Sequence, residues 1–129
     1  MKNRNTFKKD ERISYQKEIE FLFAKGKTFI THPFRAVYVE AHPVSGARAA
    51  VLISVPKKKV RRAVNRNQIK RHVRETYRQN KSDLHSYLEE HQSGLLIAFI
   101  FIGKELPDRD SVESSIKKGL EKIKENCYA

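Results

Sequence analysis

An α+β fold follows from three features of the chain. Residues 34–55 are rich in β-formers, residues 57–78 join a helical apolar stripe to dense positive charge, and residues 95–102 are apolar without interruption before a final amphipathic stretch. With 129 residues, 39% of them hydrophobic, and no internal repeat or Gly/Ser-rich linker, the sequence fits a single domain with one modest core.

The first dozen residues, MKNRNTFKKDER, are polar and basic without periodicity and read as a flexible basic arm, residues 1–12. Tyr15, Ile19, Leu22 and Phe23 then recur at helical spacing. With Ser14 placed to cap the start and Gly26 the end, they predict a short helix over Tyr15–Lys25. Lys27–Thr31 leaves room for a short strand. Phe34–Ala41 alternates, Pro43–Gly46 supplies turn residues and Ala49–Val55 is a second apolar strand, so the two read as a hairpin that Pro56 closes.

Lys57–Arg62 reads as loop, and the next helix is fixed by its pattern over Gln68–Tyr77, with its start left open by several residues. Leu84, Tyr87 and Leu88 share one face of a separate short helix, about Ser82–His91, which Gly94 breaks. Leu95–Ile102 has the character of a central strand covered on both faces. After the turn at Gly103–Pro107, Asp108 or Asp110 caps a last helix whose buried stripe is Val112, Ile116, Leu120 and Ile123.

The stretch Lys57–Arg78, KKKVRRAVNRNQIKRHVRETYR, points to function. Ten of its 22 residues are Lys or Arg and only Glu75 is acidic. At about 100° per residue, Ile69, Val73 and Tyr77 fall on one side with Thr76 beside them, while Asn67, Lys70, Arg71, Arg74 and Arg78 gather on the other. An ordinary solvated helix face mixes charge signs to form pairs at i and i+4. Here the charge is dense and nearly without acidic partners, which suits a polyphosphate backbone, and the formal net charge of +12 agrees.

Other classes are disfavoured. The single cysteine, Cys127, excludes an intramolecular disulfide and reads as incidental. The basic start has no following apolar segment and Leu95–Ile102 is too short to span a bilayer as a helix, so a cytoplasmic protein without membrane contact is expected. Hydrolysis needs clustered carboxylates or a paired histidine, and the acidic residues are scattered. Asp108 and Asp110 are spaced for a shared ion but suit helix capping better; His85, Glu89 and His91 lack zinc-like spacing; His72 lies between the two faces of the basic helix. No catalytic residue is expected on this chain.

The succession Lys58-Lys59, Ala63-Val64, Arg66-Asn67, Ile69-Lys70-Arg71, Val73-Arg74-Glu75 and Tyr77-Arg78 resembles the Arg-Asn-Arg helix of the protein component of bacterial ribonuclease P. The likeness extends in order to the basic amino terminus, the first helix ending Lys25-Gly26-Lys27, the strands before the motif, and the strand and helix after it. Two departures stand out. Gln68 replaces the motif's second Arg, and Arg61-Arg62 replace a common Gly-Asn pair, which questions the tight turn before the helix.

The resemblance implies a four-stranded mixed sheet with helices packed against one side, similar to the ribosomal protein S5 domain 2-like fold with a left-handed β-α-β crossover. It also implies a function: binding the catalytic RNA subunit of ribonuclease P and the 5′ leader of precursor tRNA, and assisting Mg²⁺-dependent removal of that leader, with Mg²⁺ mainly on the RNA. Lys58, Lys59, Arg62, Arg66, Lys70, Arg71, Arg74 and Arg78 are then the expected phosphate contacts, with Asn67 as a directional polar one. Phe23, Phe34 and Tyr38 are candidates for rings lining the leader groove, core packing accounting for each equally well. Family aromatics match Phe23 and Phe34 best, and the match at Tyr38 is shared with Val37, which points to the other strand face. A ribosomal or assembly protein that binds structured RNA without cleavage is the alternative; a DNA-binding role lacks base-reading and dimer features.

Overall fold

A strand with no polar side chain gains most by lying between two neighbours, and the sheet is arranged around that strand. The computed structural model describes residues 11–128. Its elements are α1 (Gln16–Lys25), β1 (Lys27–Thr31), β2 (Phe34–Glu40), β3 (Ala49–Ser54), α2 (Ala63–Glu90), β4 (Leu95–Phe101) and α3 (Arg109–Tyr128). The four strands form one sheet in the order β1-β2-β4-β3, antiparallel except between β3 and β4. The apolar strand β4 is thus internal, as expected from its composition.

Its insertion overturns the expected hairpin between residues 34–41 and 49–55. β2 pairs instead with β1, through the turn at His32-Pro33, and with β4; β3 lies beyond β4 and parallel to it. Burying both faces and both edges of LLIAFIF outweighs the shorter closure of a local β2–β3 pair.

The two faces of the sheet carry different covers. Phe34, Ala36, Tyr38, Ala49, Val51, Leu95, Ile97, Phe99 and Phe101 pack against Ile69, Val73, Tyr77, Leu84 and Leu88 of α2 and Val112, Ile116, Leu120 and Ile123 of α3. On the other face Val37, Ala50, Leu96 and Ala98 meet Leu22 of α1 and Ile13. Helices therefore flank both sides of the sheet, where the resemblance implied one.

The expected break between residues 77 and 82 is absent, and α2 runs unbroken for 28 residues. The buried stripe continues from Ile69, Val73 and Tyr77 through Lys81 to Leu84 and Leu88. Lys81 hides that continuity in the sequence because it is charged. In the fold it is 3% exposed, with Nζ 2.7 Å from Glu11 Oε1. Glu11 and Arg12, read as part of the arm, are accordingly held to the sheet and α2. Arg12 bridges Val51, and the Ile13 N–H donates to the Val51 carbonyl at 3.2 Å. The rest of the expected arm, residues 1–10, lies outside the described residues.

Helix ends show how local chemistry sets boundaries. Ser14 does not cap α1; Tyr15 holds that position without a side-chain cap, and its carbonyl accepts the Glu18 and Ile19 N–H groups. Gly26 ends the helix with φ −72°, so steric room selects it: a Cβ there would lie 2.4 Å from the Leu22 carbonyl oxygen and 2.7 Å from Val37 Cγ1. Asp108 caps α3, its Oδ1 accepting the Ser111 N–H at 2.7 Å, which lowers the carboxyl's pKa. The stripe Val112, Ile116, Leu120 and Ile123 is buried as expected.

Candidate nucleic-acid interface

The apolar side of α2 fixes the direction of its basic side. Ile69, Val73, Thr76 and Tyr77 are each no more than 4% exposed. Opposite them Asn67 and Arg71 are exposed and Lys70, Arg74 and Arg78 are half-buried. No acidic residue occupies the first helical turn, and Lys58, Lys59 and Arg62 stand exposed on the loop ahead of it.

That loop does not need the glycine that Arg61-Arg62 replace. The Pro56 carbonyl accepts the Lys59 and Val60 N–H groups, Val60 is buried, and Arg62 at the helix start has ordinary extended geometry with φ −81°. Arg66 completes the turn: Nη1 donates to the carbonyls of Val60 at 3.1 Å and Arg61 at 2.7 Å. Part of its guanidinium is therefore structural, leaving its other donors for the phosphate contact the sequence suggested. Arg78 is likewise shared, paired with Glu75, which raises its pKa and lowers that of Glu75. Arg74 is different. Burial, then the charges of Arg12 and Arg71, push it below the ordinary arginine value, and both neighbours are cations.

Strand register defines a second surface beside this one. On the α1 side of the sheet, Arg35 lies opposite Ile30 and Ile100, and Ile100 opposite Ser54; the next row joins Thr28, Val37, Ala98 and Leu52. Leu22 and Ile13 belong to the cluster that seals Val37, Ala50, Leu96 and Ala98, while Ile30 and Arg35 remain exposed and Ile100, Ser54 and Leu52 half-buried. This half-open surface ends at Ser54, two residues before Pro56 and the lysines of the loop. Phe23 on α1 is 47% exposed.

Two of the three candidate groove rings are elsewhere. Phe34 and Tyr38, 0% and 4% exposed, belong to the cluster under α2 and α3, so neither can line an open groove. Their even spacing correctly placed them on one strand face; α2 and α3 cover that face and close it. Val37, the alternative to Tyr38, does face α1 but is buried. Arg35, exposed on the α1 side of β2, was not singled out from the sequence, although strand alternation opposes it to Phe34 and Ala36. Arg12 had no sequence signal beyond its charge.

The remaining reactive groups are occupied structurally. His85 Nε2 lies 3.1 Å from the Tyr77 hydroxyl and 3.7 Å from Glu11 Oε2, and burial lowers its pKa. Burial and Glu40 push the Cys127 thiol up to about 12. Among the described residues no three His, Cys, Asp or Glu side chains gather to hold a metal ion, and no helix is long and apolar enough to cross a membrane.

A predominantly cationic helix face and a half-open sheet surface on an α+β fold suit a nucleic-acid-binding protein. Comparison with known proteins gives the family. The family model described as Ribonuclease P matches residues 7–124. A ribonuclease P protein component from Porphyromonas gingivalis is 43% identical over 118 residues, covering 92% of this chain and 86% of the relative. One from Chlorobium phaeobacteroides is 31% identical over 130 residues, covering 93% and 89%. Among solved structures, the Staphylococcus aureus RNase P protein matches with TM-score 0.69 at 24% identity, covering 89% of this chain and 95% of that one. The Thermotoga maritima RNase P protein matches with TM-score 0.68 at 24% identity, covering 88% and 97%. The chain belongs to the ribonuclease P protein component family, whose members serve as subunits of the ribonucleoprotein endonuclease that matures the 5′ end of tRNA.

Proposed function

We propose that this chain lays the exposed side of α2 and the Lys57–Arg62 loop on the catalytic RNA of ribonuclease P. In the same reading it takes the single-stranded 5′ leader of precursor tRNA along the half-open sheet, past Phe23 and Arg35, in the cytoplasm. Lys58, Lys59, Arg62, Lys70, Arg71 and Arg74 neutralise phosphates, Arg66 and Arg78 contribute the donors their internal partners leave over, and Asn67 supplies a directional contact. Phe23 offers a stacking ring, which tolerates any base because every base has a π-face.

The observation that carries this reading is the register of the sheet. It brings the row Ile30–Arg35–Ile100–Ser54 to the strand end from which the basic loop departs. A single strand can thus pass from an apolar floor to a cationic rim. Mg²⁺ belongs with the RNA in this reading, because Asp108 is engaged as a helix cap and no carboxylate cluster among the described residues fits the ion.

The test is precursor tRNA cleavage at low Mg²⁺ with a cognate catalytic RNA transcript. Protein alone should leave the substrate intact, and its addition to the RNA should accelerate cleavage and favour precursor over mature tRNA in binding. Cleavage by the purified protein alone, abolished in Asp108→Ala or Asp110→Ala, would overturn the assignment.

A further inference from the structure

Asn65, Gln68 and His72 stand at i, i+3 and i+7 of α2, a single row at the border between its buried stripe and the side that carries Asn67 and Arg71. The loop joining β4 to α3 comes up beside this row. Between them lies a half-open cleft of about 400 Å³, to which Ile69 contributes from the helix and Leu106 and Pro107 from the loop. Leu106 is largely exposed, so its side chain is open to an incoming group. The charged residues at the edge of the cleft are engaged with α3: Asp108 Oδ1 accepts the Ser111 N–H at 2.7 Å, and Arg109 Nε lies 3.3 Å from Glu113 Oε1. Asn65, Gln68 and His72 differ. Among the described residues none of the three spends its side chain on another protein group. Apolar walls with a rim of paired donors and acceptors suit a base more than a phosphate. The cleft is also continuous with the basic side of α2, because Gln68 borders the adjoining shallow surface of Val64, Asn67 and Arg71. A strand lying on that surface passes the mouth of the cleft.

We propose that this cleft takes one unpaired adenine of the catalytic RNA, its face against Leu106 and Pro107 and its edge read by the Gln68 amide. The inference rests on the RNA-face reading of α2. An amide presents an acceptor beside its donors. Adenine complements that pattern on two edges, N6 with N7 and N6 with N1, and brings the wide face of a purine to the apolar walls. Guanine's O6 and N7 both accept, which suits an arginine and not a glutamine. Gln68 is then a residue that selects a base, on a helix whose other polar contacts go to phosphates.

The test uses full-length protein and the cognate ribonuclease P RNA transcript, in which purine riboside, lacking the 6-amino group, replaces adenosine at random positions marked by phosphorothioates. Protein-bound RNA is separated from free RNA and the marked positions are mapped by iodine cleavage. In wild-type complexes one unpaired adenosine should reject the analogue, and in Gln68→Ala complexes the same position should accept it. Gln68→Ala should also weaken affinity by ~5–100-fold. The slope of log affinity against log salt and the melting temperature should both stay at wild-type values, since no phosphate contact is lost and an exposed helix position receives alanine. Identical maps for wild type and Gln68→Ala overturn the proposal, as does wild-type affinity in Gln68→Ala. If Lys70→Ala still weakens binding in that event, the failure is confined to the cleft; if Lys70→Ala is silent too, the RNA-face reading has failed with it. A Gln68-dependent position found in precursor tRNA and not in the catalytic RNA overturns the choice of partner.

Discussion

The rings of Phe34 and Phe101 meet edge to face, centroids 5.7 Å apart, across the β2–β4 pair in which they are direct register partners. Both are essentially inaccessible to solvent. Phe34→Ala should therefore cost about 3–5 kcal/mol of folding stability, removing a large buried ring and its aromatic contact together. Urea unfolding measures this directly. A stable variant that has lost only its preference for precursor tRNA would return Phe34 to the groove.

Phe23→Ala should behave in the opposite way. The ring is half-exposed at the end of α1, so its loss should leave the melting temperature nearly unchanged while weakening binding of precursor relative to mature tRNA by about 1–3 kcal/mol. Equal weakening for both RNAs would remove Phe23 from the leader path.

The two sides of α2 should separate cleanly. Lys70→Ala on the basic side is expected to lower RNA affinity and the salt slope with little effect on stability. Val73→Ala, at a fully buried position, should cost about 1–3 kcal/mol in stability and leave the salt slope alone. A wild-type slope in Lys70→Ala would mean that the charge run is only a solvated face.

Much of this division was readable in advance, because spacing within one helix is local. The stripe Ile69, Val73, Tyr77 and the stripe Val112, Ile116, Leu120, Ile123 needed no knowledge of distant residues. What escaped the sequence was decided at a distance. Nothing near Ala49 indicates that β3 will pair with residues 95–100 and leave residues 34–40 to other partners. Even spacing joined Phe34 to Tyr38 but could not say which face α2 and α3 would close. Lys81 looked like a break in the pattern because its partner Glu11 is 70 residues away.

Stability should also depend on pH through His85. Burial lowers its folded pKa, so below about pH 6.5 the unfolded chain takes up a proton that the folded one resists, and stability falls as pH drops through that window. The urea midpoint of the wild type should decline more between pH 7 and pH 5 than that of His85→Gln. Parallel declines would show that the burial of His85 does not oppose its protonation.

The unbroken course of α2 has a thermodynamic consequence for RNA binding. At 28 residues the helix is about 42 Å long, and its rear turns are sunk against the sheet and α3 through Leu84 and Leu88. A free peptide of this sequence would have to be ordered as it bound, and that entropy would be subtracted from affinity. Here the ordering is completed when the protein folds. If the basic side is the RNA face proposed above, it is presented as a preorganised rod, and its association should lack the large negative heat-capacity change that accompanies folding upon binding.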